Sequence, residues 1–154
     1  MQLGNTLPEF NLPDQDWNNF DSKSLLGKPC VIFFYPKDDT SGCTKEAIGF
    51  TEHLGEFEKL GVSVIGMSPD PVKKHDKFKA KHELDVTLVS DEEKSALSAY
   101  GIWVEKSMYG KKYMGVERTT LLIDKDGMVA QAWHKVKVPG HVEAVLEAAK
   151  EHFG

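Results

Sequence analysis

Apolar and polar positions along this chain follow two different periods, and the switch between them marks its elements. Gly27-Lys28-Pro29 is punctuation, and the run behind it, Cys30-Val31-Ile32-Phe33-Phe34-Tyr35, has no polar break. Such a run predicts a strand covered on both faces. From Cys43 to about Leu60 the spacing changes to fours and threes, with Cys43, Ala47, Phe50, Leu54 and Phe57 on one helical face. Thr40 or Ser41 can cap this helix, and Leu60-Gly61 ends it. Val62 to Ser68 reads as the next strand. Asp70-Pro71 is a cap followed by a proline at the first helical position, opening a helix to about Glu83. Val86 to Val89 then predicts a strand and Glu92 to Tyr100 a short helix. Thr119 to Ile123 and Met128 to Trp133 flank Asp124-Lys125-Asp126-Gly127, a hairpin whose glycine suits a left-handed position. A final helix runs from about Val142 to His152, and Phe10 to Phe20 suits a short hairpin or irregular edge.

This alternation of strands and helices implies an α/β fold: a mostly parallel central sheet with helices on both sides and one antiparallel pair. No repeat, low-complexity tract or linker divides the chain, so residues 1–154 read as one domain, large enough to bury a core unaided. Sites in such sheets lie at the C-terminal ends of strands. Cys43 follows the first long strand, where that rule places a site.

Composition narrows the class. The net charge of −5 argues against nucleic acid or an anionic membrane as partner. The basic stretch Lys73 to Lys81 reads as a solvated helix face with a few apolar anchors. The longest apolar run is far short of the ~20 residues a membrane span needs. Met1-Gln2-Leu3-Gly4-Asn5 offers no basic or apolar leader region. Two cysteines do not make a disulfide framework, so a reducing, cytoplasmic setting is expected, with cysteine used for chemistry. The six histidines show no metal-ligand spacing on a shared face, and neither a metal nor another cofactor is read.

A single cysteine is more often a small inert hydrophobe than a nucleophile. Three local features point Cys43 the other way. It lies in the first turn of the predicted helix, where the helix dipole favours the thiolate. Gly42 lets backbone and ligand come close, and Thr40 puts a hydroxyl near the sulfur. Fast chemistry would need more: a positioned cation and donors that stabilise developing charge.

The string Phe34-Tyr35-Pro36-Lys37-Asp38-Asp39-Thr40-Ser41-Gly42-Cys43-Thr44-Lys45-Glu46-Ala47, with Pro36-x-x-x-Thr40-x-x-Cys43 at its centre, resembles the active-site signature of the peroxiredoxins. It is most similar to the peroxiredoxin Q or bacterioferritin comigratory protein branch. A second block agrees, Tyr100-Gly101-Ile102-Trp103 through Gly115-Val116-Glu117-Arg118-Thr119-Thr120-Leu121-Leu122-Ile123-Asp124. The resemblance implies a thioredoxin-like fold, with a central mixed β-sheet flanked by helices, and reduction of hydrogen peroxide and organic hydroperoxides. It implies that Cys43 is the peroxidatic nucleophile and becomes a sulfenic acid. Thr40 would hydrogen-bond the peroxide, Arg118 would favour the thiolate and stabilise the reacting oxygens, and Pro36 would shield the sulfur from water. Glu46 would orient Arg118. Trp103 reads as packing.

The chain departs from this branch in one respect that matters. A resolving cysteine often stands five residues after the first, where this chain has Ile48, or in the next helix, where Phe78 and Lys79 stand. Cys30 begins the strand and lies roughly 20 Å from its active-site end at ~3.3 Å per residue. A disulfide needs Cα atoms within ~7 Å. Cys30 therefore reads as a core residue, and a one-cysteine mechanism is expected, with an external reductant: a small thiol, or a thioredoxin- or glutaredoxin-like protein. The alternative is a peroxide sensor or relay that passes a disulfide from Cys43 to a partner protein. Ser41 stands where the branch usually has proline, and no change of chemistry is expected from it. A monomer is expected, with dimers known in the branch.

Overall fold

A computed structural model describes residues 3–154; Met1 and Gln2, part of the N-terminal segment read for a leader, lie outside the described residues. The core is a five-stranded sheet in the order β5-β4-β3-β8-β9. Its strands are β3 (Cys30–Phe34), β4 (Ser63–Ser68), β5 (Thr87–Ser90), β8 (Thr119–Ile123) and β9 (Val129–Trp133). Two two-stranded hairpins stand apart from it, β1 (Asn11–Pro13) with β2 (Asn19–Asp21), and β6 (Trp103–Met108) with β7 (Lys111–Val116). The helices are α1 (Ser41–Glu52), α2 (Leu54–Lys59), α3 (Val72–His82), α4 (Ser95–Ala99) and α5 (His141–Phe153).

β3 is the central strand, and every one of its residues is buried. Its period-two geometry sends Val31 and Phe33 to one face and Cys30, Ile32 and Phe34 to the other. The first face meets α1, α2, α5 and Phe78 of α3 through Ala47, Phe50, Phe57, Val145 and Leu146. The second meets α4 and the flanking loops through Ala96, Leu97, Tyr100 and Ile102. Cys30 and Cys43 therefore pack in different cores, on opposite sides of the sheet.

The sheet is mixed, as the family resemblance implied, and carries one antiparallel pairing more than the alternation of elements predicted. β3 pairs parallel with β4, and β4 with β5, but β3 pairs antiparallel with β8 and β8 with β9. Two antiparallel pairings replace the single one because the β8–β9 hairpin docks directly on the central strand. The hairpin turn itself forms as read: Asp124 accepts from the Asp126 and Met128 amides, and Gly127 takes φ +80°.

Two local readings need correction, and one hairpin is new. The single helix expected from Cys43 to Leu60 begins at Ser41 and breaks at His53, whose backbone (φ −97°, ψ 3°) separates α1 from α2. Asp70 does not cap α3. Pro71 holds the cap position, and the Asp70 carboxylate turns back to accept from the Ser68 hydroxyl and the Asp38 amide. The β6–β7 hairpin, with positive φ at Tyr109 and Gly110, was not read from the sequence.

Candidate active site

β3 ends at Phe34, the chain runs through Tyr35 to Thr40, and α1 begins at Ser41, so Cys43 sits in the first turn at the C-terminal end of the central strand. Its side chain is 1% exposed. Thr40 is the N-cap residue, and its carbonyl accepts the Thr44 amide at 2.8 Å. Its hydroxyl does not cap: it donates to the Lys37 carbonyl at 2.9 Å. That bond bends the loop and leaves the threonine exposed beside the helix start. Pro36 is half-buried in the same loop.

Arg118 comes from the short connection between β7 and β8. Its Nη2 donates to Cys43 Sγ at 3.1 Å, and its Nη1 donates to Glu46 Oε1 at 2.8 Å. Glu46 lies one helical turn after Cys43 on α1, and both side chains point inward. One guanidinium thus ties the sulfur to the carboxylate by two separate nitrogens, a fork that lysine cannot reproduce. Gly42 makes room for it. A Cβ there would stand 3.2 Å from Arg118 Nη2 and 3.9 Å from Val138 Cγ2.

The electrostatics follow from burial. Glu46 is fully buried. Desolvation pushes its carboxyl up to about 7, against the downward pull of Arg118. For Arg118, burial works against the charge, but Glu46 and Cys43 outweigh it and the guanidinium is held above its ordinary value. The upward direction for Glu46 also fits its contacts, because among the described residues Oε2 has no hydrogen-bond partner.

That oxygen faces a residue the sequence reading missed. His141, the first residue of α5, places Nε2 3.7 Å from Glu46 Oε2 and 2.8 Å from Thr120 Oγ1. Burial, helped by Arg118, lowers its pKa to about 4, so it stands neutral near pH 7. Cys43, Arg118, Glu46, His141 and Thr120 form one chain of polar contacts, fed by α1, the β7–β8 connection, β8 and α5. Only the Pro139-Gly140-His141 break before an apolar helix hinted at His141, and a histidine beginning a helix carries no chemistry by itself.

Of the sequence-predicted residues, the structure brings Cys43, Arg118 and Glu46 into contact and places Gly42 against the guanidinium. Thr40 and Pro36 share the adjoining loop without bonding the sulfur. Among the described residues one group has spacing compatible with a metal, Asp38, Asp70 and His75, with ligand atoms within 4.8 Å of one another. Its donors and acceptors are already engaged with Tyr35, Ser68, Val89 and the Asp38 amide. A buried acidic side chain bonded to a guanidinium that also holds a thiol can stabilise a thiolate and direct it at an electrophile.

The AhpC/TSA family model matches residues 3–132. The chain belongs to this family. It is 50% identical over 130 residues to peroxiredoxin Bcp of Xanthomonas campestris pv. campestris, covering 84% of this chain and 81% of the relative. It is 40% identical over 151 residues to peroxiredoxin Bcp of Bacillus subtilis, covering 98% and 96%. A solved structure of the Xanthomonas campestris bacterioferritin comigratory protein, from work on its alkyl peroxide reduction activity, superposes with a TM-score of 0.90. That match has 43% identity and covers 94% of this chain and 92% of the other. The fold is thioredoxin-like, the branch is peroxiredoxin Q/Bcp, and peroxiredoxins are thiol-dependent peroxidases. Among the described residues no helix is long and apolar enough to cross a membrane.

Proposed function

We propose that this protein reduces hydrogen peroxide and organic hydroperoxides at Cys43 and is regenerated by an external thiol. The observation that carries the reading is the Arg118 fork, 3.1 Å from Cys43 Sγ and 2.8 Å from Glu46 Oε1. The guanidinium neutralises the thiolate before reaction and faces the oxygen that gains charge as the O–O bond breaks. Cys43 S⁻ attacks one peroxide oxygen in line. The O–O electron pair leaves with the other oxygen, which takes a proton to become water or alcohol. Sulfur gives up two electrons and becomes a sulfenic acid. Thr40, exposed at the mouth of the loop, hydrogen-bonds the incoming peroxide, and Pro36 limits water at the sulfur. Glu46 keeps Arg118 aimed. The alkyl peroxide reduction of the Xanthomonas campestris relative supports the substrate class.

Regeneration follows a one-cysteine route. Cys30 packs on the far side of the sheet, and burial pushes its thiol up to about 12. Ile48, five residues after Cys43, packs against the core. The sulfenic acid is therefore attacked by a thiol from outside, releasing water and forming a mixed disulfide. A second thiol then frees Cys43. Because the sulfur is 1% exposed, a bulky thiol reaches it only after the first turn of α1 opens. We take residues 1–154 as one domain and the working unit as one chain in a reducing cytoplasm.

The test is hydroperoxide consumption by Cys43→Ser with an excess of small thiol. Loss of turnover is expected. Turnover at the wild-type rate would place the chemistry elsewhere. A protein–protein adduct that outlasts added thiol would move the assignment to the sensor or relay.

A further inference from the structure

The basic stretch on α3 is more than a solvated face. His75 is fully buried, and its Nδ1 lies 2.6 Å from Asp38 Oδ2. Its Nε2 lies 3.1 Å from the Val89 carbonyl, an acceptor, so that nitrogen carries a hydrogen. Asp38 Oδ1 accepts the Tyr35 hydroxyl at 2.6 Å, and the Asp38 amide donates to Asp70 Oδ2 at 2.7 Å.

The next residue is held from outside by the same helix. Asp39 has φ +60°, a left-handed conformation that aspartate tolerates better than most residues. Its two carboxylate oxygens meet Lys81 Nζ at 2.8 Å and His82 Nε2 at 2.9 Å. Two consecutive loop aspartates are thus gripped by one helix, the first from within the core and the second at the surface. Thr40 follows immediately.

We propose that α3 clamps the Tyr35–Thr40 loop, with His75, Lys81 and His82 as positioning residues that hold Thr40 and Pro36 in register with Cys43. This rests on the assignment of peroxide reduction to Cys43. None of the three touches the sulfur in the network described, so their loss leaves the Arg118–Cys43 contact in place. The clamp acts on peroxide binding geometry and not on thiolate nucleophilicity.

The test compares two second-order rates at Cys43: oxidation by hydrogen peroxide and alkylation by iodoacetamide, which needs the thiolate and a path to the sulfur but no peroxide aligned by the Thr40 loop. His75→Leu breaks the buried arm, and the peroxide rate is expected to fall on the order of 10- to 100-fold, the scale of a small misplacement of reacting groups. His75→Asn, whose amide can still donate to Asp38, recovers most of that loss. The double substitution Lys81→Met with His82→Leu removes both donors to Asp39, releases the solvent-screened arm and lowers the peroxide rate about threefold. Alkylation does not fall in any of the three. The surface double variant keeps the comparison available where His75→Leu does not fold. Peroxide and alkylation rates that fall together, or a peroxide rate untouched in folded His75→Leu or in the double variant, would overturn the clamp. Peroxidase activity surviving in Cys43→Ser would instead remove the reading beneath it.

Discussion

Arg118→Lys keeps a positive charge but not the two bonds that the guanidinium makes. Those bonds leave from different nitrogens, at 3.1 Å to Cys43 Sγ and 2.8 Å to Glu46 Oε1, whereas lysine has a single nitrogen to share. An ion pair at the sulfur distance is worth about 5 kcal/mol at an effective dielectric near 20. Only part of this bears on the rate, because the thiolate uses the charge before reaction as well as during it. Loss of one preorganised donor to a developing anion costs about 3–4 kcal/mol, or roughly 100- to 1,000-fold, which fits inside that limit. Arg118→Lys should therefore oxidise about 100-fold more slowly, and Arg118→Met about 1,000-fold. Single-turnover stopped-flow with hydrogen peroxide reads both. Arg118→Met should still fold. Both downward influences on the Glu46 carboxyl come from Arg118, so without it Glu46 is held neutral rather than left as a buried charge. A peroxide rate for folded Arg118→Met within about threefold of wild type, under 1 kcal/mol, would show that the fork does not stabilise the transition state.

Other consequences are open to direct measurement. Glu46 is raised from 4.5 to about 7, so the native state holds a proton the unfolded chain releases. Its contribution declines as pH climbs through that window, by on the order of 3 kcal/mol. His141 is lowered to about 4, so its contribution has the opposite sign and grows as pH rises toward 6.5. Glu46→Gln removes the first and keeps the second, so its stability relative to wild type should improve steadily from pH 4.5 to 7 in urea titrations; a constant difference would refute the Glu46 assignment. Gly42→Ala should stabilise α1 by about 0.5–1 kcal/mol yet slow peroxide oxidation, because the new methyl presses on Arg118 Nη2. Stability and rate moving in the same direction would contradict that contact. Cys30→Ser should lose about 1–3 kcal/mol by burying a hydroxyl in the apolar core while turnover with external thiol persists. Turnover that stops after the first oxidation would give Cys30 a redox role.

The parts of this protein legible from sequence were those in which local pattern and global placement coincide. The apolar run from Cys30 to Tyr35 behind Gly27-Lys28-Pro29 predicted a strand buried on both faces, and Cys43 behind it was marked by glycine, hydroxyl and helical spacing together. Arg118 was legible through its motif, not through any local signal. The polar residues behind the site were not legible. His75 sits in a lysine-rich stretch that looks solvated, and its place between Val72 and Phe78 on the one buried face of α3 was outweighed by the surrounding charge. His141 is neutral and buried because α1, β8 and α5 converge on it, a long-range fact whose local trace is no more than a helix start after Pro139-Gly140. Asp70 followed by proline looked like a helix cap, but the pull of the Asp38 amide and Ser68 hydroxyl outweighs capping. The second antiparallel pairing also escaped, since strand order depends on where a hairpin docks rather than on its own alternation.

The central claim is that Cys43 alone carries the oxidation and has no partner inside the chain. Intact-mass and peptide mass spectrometry of the Cys30→Ala variant, after one equivalent of hydrogen peroxide in the presence of a sulfenate trap, tests it most directly. One trapped oxidation is expected on the peptide carrying Cys43, in the same yield as wild type, cleared when thiol replaces the trap. An unmodified Cys43 peptide, or a wild-type protein that forms an internal Cys30–Cys43 disulfide instead, would contradict it.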